Sequence, residues 1–156
     1  MSGGELIHLP NSLAKRIGPR ARVFTAALLK RAEAVLERIS VQYESWLRQD
    51  LAALDGVRAD IRQEGATAGK IRELAYYARL LRGAGATFGY PIVTDFAAHL
   101  CDAIEHHKAE IPTVVLNAYV DAMKAAVREK IRDRSDPTAR EILKALDDDL
   151  AGRGRR

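Results

Sequence analysis

Apolar residues recur along most of this chain at spacings of three and four and nowhere alternate with period two, so the pattern predicts helices and no sheet. The longest run extends from about position 22 to 62. There Phe24, Leu28, Ala32, Val35, Ile39, Tyr43, Trp46, Leu54, Val57 and Ile61 keep one stripe, with Glu37, Glu44, Arg48 and Asp55 opposite. Tyr43 and Trp46 lie on the stripe and are assigned to the core. One straight helix of that length would measure ~60 Å. Asp50 falls inside the stripe and Gly56 follows, so a bend or break is expected within positions 50–56. Upstream, Ile7-His8-Leu9-Pro10 reads as extended, because proline disfavours helix in the residue before it. Asn11 or Ser12 then caps a short helix through Ile17, stopped by Gly18-Pro19.

Downstream the pattern divides into shorter helices. Thr67 suits an N-cap for a helix ending near Phe88, with Leu74, Tyr77, Ala78, Leu81, Ala84, Gly85 and Phe88 on one apolar face. Gly89 stops it, and Pro91 opens the next helix, which buries Ile92, Phe96, Leu100, Ala103 and Ile104 and ends near Lys108. Pro112-Thr113 starts another, carrying Leu116, Tyr119, Met123, Ala126, Val127 and Ile131. Ser135-Asp136-Pro137 caps the last, with Ile142, Leu143, Leu146 and Leu150 inward and Gly152 at its end. Short connections between amphipathic helices predict an all-α, antiparallel up-down four-helix bundle with an N-terminal helical extension. The expected organisation is one domain over 1–156: extension 1–21, bundle 22–151, basic tail 152–156.

Composition changes this picture little. With 156 residues, 47% apolar and 29% charged, the chain can bury a core of its own. A single cysteine, Cys101, excludes an internal disulfide and a cysteine zinc cluster. No apolar run reaches the ~20 residues that cross a bilayer, and residues 1–18 do not read as a signal peptide, so a cytoplasmic protein without membrane contact is expected. The net charge of +4 gathers at the ends: residues 1–31 hold six Lys/Arg against Glu5, and the tail holds Arg153, Arg155 and Arg156. Basic ends on a balanced body read as solvated termini, since nucleic acid calls for a continuous basic stripe.

One polar face changes the picture more. Arg72, Tyr76, Arg79 and Gly83 fall opposite the apolar face of the 67–88 helix. A glycine inside a helix costs roughly 1 kcal/mol relative to alanine. On the solvent side that cost suggests close approach by something else.

Arg79-Leu80-Leu81-Arg82-Gly83, followed by Ala84-Gly85-Ala86-Thr87-Phe88-Gly89-Tyr90-Pro91, resembles the phosphorylation helix of histidine-containing phosphotransfer (Hpt) domains. Their motif reads His-x-Leu-Lys-Gly before small residues and a Phe-Gly-Tyr-Pro-like turn. Pro10-Asn11-Ser12-Leu13-Ala14-Lys15-Arg16, Lys30-Arg31-Ala32-Glu33-Ala34-Val35-Leu36 with Trp46-Leu47, and Val120-Asp121-Ala122-Met123-Lys124-Ala125-Ala126-Val127-Arg128-Glu129 also resemble a stand-alone Hpt family of alphaproteobacteria. The resemblance implies a four-helix Hpt bundle serving phosphorelay (two-component) signal transduction. Arg82 stands at the motif's lysine and Gly83 at its glycine. Arg79 stands at the phosphoacceptor histidine, and Leu80 where an acidic residue is usual.

That departure decides the chemistry. A phosphoacceptor needs a neutral ring nitrogen, whereas a guanidinium is always protonated and only donates. The resemblance therefore implies a pseudo-phosphotransfer protein, not an enzyme. It would dock a response-regulator receiver domain or a histidine kinase without accepting phosphate. The partner-binding residues implied are Arg72, Tyr76, Arg79, Arg82, Gly83 and Ala86, whose basic face complements the carboxylates of a receiver.

Two alternatives remain: a phosphocarrier using His99, His106 or His107, or a helical scaffold outside signalling. Asp95, His99, Asp102 and His106 share a helix face, but four such ligands span ~16 Å and cannot close on one ion, so they read as two exposed Asp–His pairs and no metal is expected. Cys101 points off the apolar stripe and has no activating partner. No serine elbow, phosphate loop or nucleotide fingerprint is present, and no cofactor is implied.

Overall fold

The computed structural model describes residues 19–153, with side chains described from Thr25 onward. The described residues are helical with no strand: α1 (Pro19–Glu64), α2 (Ala68–Ala84), α3 (Pro91–His107), a short 3-10 turn (Lys108–Glu110), α4 (Thr113–Arg128) and α5 (Pro137–Arg153). The chain divides into two compact units, Met1–Ile39 and Ser40–Arg156. The short helix expected over positions 11–17 and the extended stretch before it lie outside the described residues.

In the first unit, every described side chain of α1 is exposed, the apolar Leu28, Leu29, Val35, Leu36 and Ile39 included. The second unit holds the core. Leu47, Leu51, Leu54, Val57 and Ile61 of α1 pack with Leu74, Ala78 and Leu81 of α2, and with most of the inward faces of α3 and α4.

No break interrupts α1 within positions 50–56. No proline there removes a ladder donor, and Leu51, Leu54 and Val57 anchor the stretch on both sides of Gly56. Asp50 stays in the helix half-buried, its carboxyl pushed above the ordinary range by burial. Trp46 also departs from expectation. It is 44% exposed, because the 3.6-residue period carries the buried stripe onto Leu47 and Leu51 instead. Trp46 packs on Tyr43 and Phe88, with ring centroids 5.5 and 6.2 Å away.

The caps follow the local chemistry. Thr67 Oγ1 accepts from the Lys70 amide at 3.3 Å, and Asp136 Oδ1 from the Ala139 amide at 3.0 Å. Pro91 occupies the first turn of α3. α2 ends at Ala84, one turn before the expected Phe88, and turns over residues 85–89 carry the chain to Gly89 at φ +87°. α4 ends at Arg128, so Ile131 lies beyond it, half-buried, where its amide reaches the Ala126 carbonyl at 2.8 Å. On α5, Ala139 is buried and Leu143, Leu146 and Leu150 pack on the core. Ile142, expected inward, is 40% exposed. Cys101 is buried, not off the core. α3 meets α2, α4 and α5, so its apolar face is wider than one stripe, and burial pushes the thiol up.

Candidate functional site

The outer face of α2 is set by the same periodicity that buries its inner one. Leu74, Ala78 and Leu81 are fully buried, and this rotates Arg72, Arg79, Arg82 and Gly83 into solvent. Tyr76 is 56% exposed and lies edge-on to Tyr77 at 5.2 Å. Ala86 is exposed just past the helix, its amide donating to Thr94 Oγ1 at 2.8 Å. The structure thus brings all six sequence-derived residues to one face.

Two features distinguish this face. Lys70, Arg72, Arg79 and Arg82 stand on α2 against the single Glu73, so the helix is basic. Among the described residues, Arg72, Arg79 and Arg82 gather on one helix without an ion pair or side-chain hydrogen bond; Arg31 and Arg140 also make none, while Arg48, Arg58, Arg128, Arg132, Arg134 and Arg153 pair with carboxylates. The second feature is the contrast between two glycines. A Cβ on Gly83 would meet nothing within 4 Å, whereas one on Gly85 would lie 2.7 Å from both Thr94 N and Thr94 Oγ1. Gly85 allows α2 and α3 to touch. Gly83 answers to nothing inside the protein.

No protein-family model, no curated protein and no solved structure matches this chain. The site's chemistry is therefore read from its own residues.

The histidines of α3 show what spacing missed. The expected Asp–His pairs along one helix do not form. Asp95 accepts from Arg134 Nε at 2.9 Å, and His99 Nδ1 lies 2.8 Å from Asp147 Oδ1 on α5. A carboxylate only accepts, so Nδ1 carries the proton and Nε2 is left as the ring's other nitrogen. Asp147 Oδ1 also accepts from the buried Tyr119 hydroxyl at 3.0 Å. Burial, and then the Asp147 charge, push the Tyr119 phenol well above its ordinary range. This cluster borders a cleft of about 450 Å³ that His106, Asp102 and Leu150 also line. Among the described residues, no group of three or more His, Cys, Asp or Glu side chains could hold a metal ion. Nor is any described helix long and apolar enough to cross a membrane. The Asp147–His99–Tyr119 cluster was illegible in sequence because its members lie on three helices and no spacing rule links them.

Proposed function

We propose that this chain is a phosphate-silent, Hpt-like docking module. It would bind a response-regulator receiver domain or a histidine kinase through Arg72, Tyr76, Arg79, Arg82, Gly83 and Ala86. The observation that carries the reading is the unpaired arginine face centred on Gly83, where the open space lies on the solvent side. Three guanidiniums without intramolecular partners retain their full capacity for a carboxylate cluster. Gly83 removes the side chain that would hold such a partner away. The reading takes α1 from Ser40, with α2, α3 and α4, as the four-helix bundle, and α5 as an addition to it. Arg79 at the acceptor position leaves docking without phosphoryl transfer.

The test is binding and phosphotransfer against purified receiver and kinase domains from the source organism. The natural protein should form a complex and take up no acid-labile phosphate. Arg82→Glu should weaken that complex at least tenfold. Arg79→His should acquire label from a phosphorylated receiver. If no receiver or kinase domain binds, the docking reading fails.

The Asp147–His99 hydrogen bond favours a second reading, a phosphocarrier that uses His99 Nε2. Asp102 and Asp147 beside the ring oppose an incoming phosphate, which ranks this reading second. It requires label on the natural protein that His99→Gln abolishes.

A further inference from the structure

We propose that the outer face of α2 distinguishes a phosphorylated receiver domain from an unphosphorylated one, with Arg79 and Arg82 clamping the phosphoryl group that the partner carries. The inference rests on the docking reading above and adds to it which state of the partner is bound.

A helical side chain leans back over the turn before it, so each residue covers the flank of the one four positions earlier. Arg79 is followed at that distance by Gly83, and Arg82 by Ala86. The two smallest residue types therefore stand where a longer side chain would cover each guanidinium, and a Cβ on Gly83 would meet nothing within 4 Å. Arg72 differs, because Tyr76 stands one turn on from it. Arg79 and Arg82 are three positions apart, which sets them side by side, about 4.5 Å along the helix axis and about 60° round it. Burial pushes the Cys101 thiol up, and Arg82 and Arg79 both oppose that shift, so the two charges act on one point of α3. Asp102 and Glu105 act on the same thiol from α3, but neither bonds to either arginine.

The donors select the ligand. One guanidinium satisfies one carboxylate, with two parallel N–H bonds to its two oxygens and one charge against one charge. Two bared guanidiniums side by side offer twice that, more than a lone carboxylate uses. A phosphoryl group brings three acceptor oxygens and close to two negative charges, and arginine forks match it bidentately. Both guanidiniums only donate, so the clamp holds the phosphoryl group without taking it. The continuous basic stripe that nucleic acid requires is absent from α2, because Glu73 follows Arg72 and Lys70 is paired with Glu64.

The test is the dissociation constant of the full chain for purified receiver domains from the source organism, each measured unphosphorylated and after phosphorylation with acetyl phosphate. The phosphorylated form should bind at least tenfold tighter. Arg79→Gln and Arg82→Gln should each cut that preference to about threefold or less. Arg79→Lys, which keeps the charge and loses the fork, should lose most of it too. Arg140→Gln, the same change at an unpaired arginine of α5, should leave the preference intact. Inorganic phosphate alone should compete only at millimolar concentrations. Equal affinity for the two forms overturns the inference and leaves docking standing, as does a preference that survives both glutamine substitutions. Micromolar competition by inorganic phosphate overturns it as well, since the face would then serve a free anion. If neither form of any receiver binds, docking to receivers fails and this inference fails with it.

Discussion

Arg58 and Arg79 carry the same side chain in opposite surroundings. Arg58 is 7% exposed at the contact of α1 with α4, where it pairs with Asp55 and Asp121 and donates to the Asn117 carbonyl at 3.3 Å. Lys124 closes the group onto Asp55, and only the Arg58 Nε lacks a hydrogen-bond partner. Arg79, on the outer face of α2, is exposed and makes no ion pair. A guanidinium taken from water must find its carboxylates inside the fold, because an unpaired buried charge costs several kcal/mol. One left in water has no such obligation and can meet an external partner at little desolvation cost. The arginine at the α1–α4 contact serves folding, and those of α2 have no such partner among the described residues.

The largest effect that separates the two regions is on stability. Arg58→Ala should cost about 1–3 kcal/mol in urea unfolding, since it removes a buried side chain together with its bonds to Asp55, Asp121 and the Asn117 carbonyl. Arg79→Ala should change stability by less than about 0.5 kcal/mol. Equal losses for both would break the comparison. The two glycines sharpen it further. Gly85→Ala should destabilise by about 1–3 kcal/mol, because its Cβ would press on Thr94 backbone that cannot retreat. Gly83→Ala should stabilise by about 0.5–1 kcal/mol, as helix propensity gains where space is open. The bulkier Gly83→Leu should keep the fold and lose partner binding.

The smallest effect is a pH dependence. Burial alone would raise Asp55, but Lys124 and Arg58 outweigh it and hold its carboxyl below the ordinary 3.8. The folded value is depressed, so the stabilisation is present above 3.8 and is lost as pH falls through the lower folded value. Asp55→Asn should therefore be less stable than the natural chain near neutrality, and the gap should narrow in acid. Urea midpoints measured across that range check it. An unchanged gap would show that the Arg58 group is held by packing alone.

Much of the fold was legible because helix periodicity, caps and prolines act locally. Thr67, Pro91 and Asp136 each mark a helix boundary through backbone chemistry complete within a few residues. The six residues on the outer face of α2 were legible for the same reason, since a helix that buries Leu74, Ala78 and Leu81 must expose what lies opposite. Trp46, Ile142 and Cys101 were misplaced because an apolar stripe does not say which of its members faces the neighbour and which lies at its edge. The unbroken passage of α1 through Gly56 was likewise hidden, because packing by Leu51, Leu54 and Val57 outweighs a local preference of about 1 kcal/mol.

Sequence alone determined the all-helical class, most of the helix limits and the basic outer face of α2, because each depends on residues a few positions apart. Tertiary structure decided what depends on residues 28 to 63 positions apart: that Arg58 meets Asp121, that His99 and Tyr119 share Asp147, and that no described carboxylate reaches the arginines of α2. The physical reason is that burial and ion pairing are set by which helices touch, and helical periodicity carries no record of the neighbour.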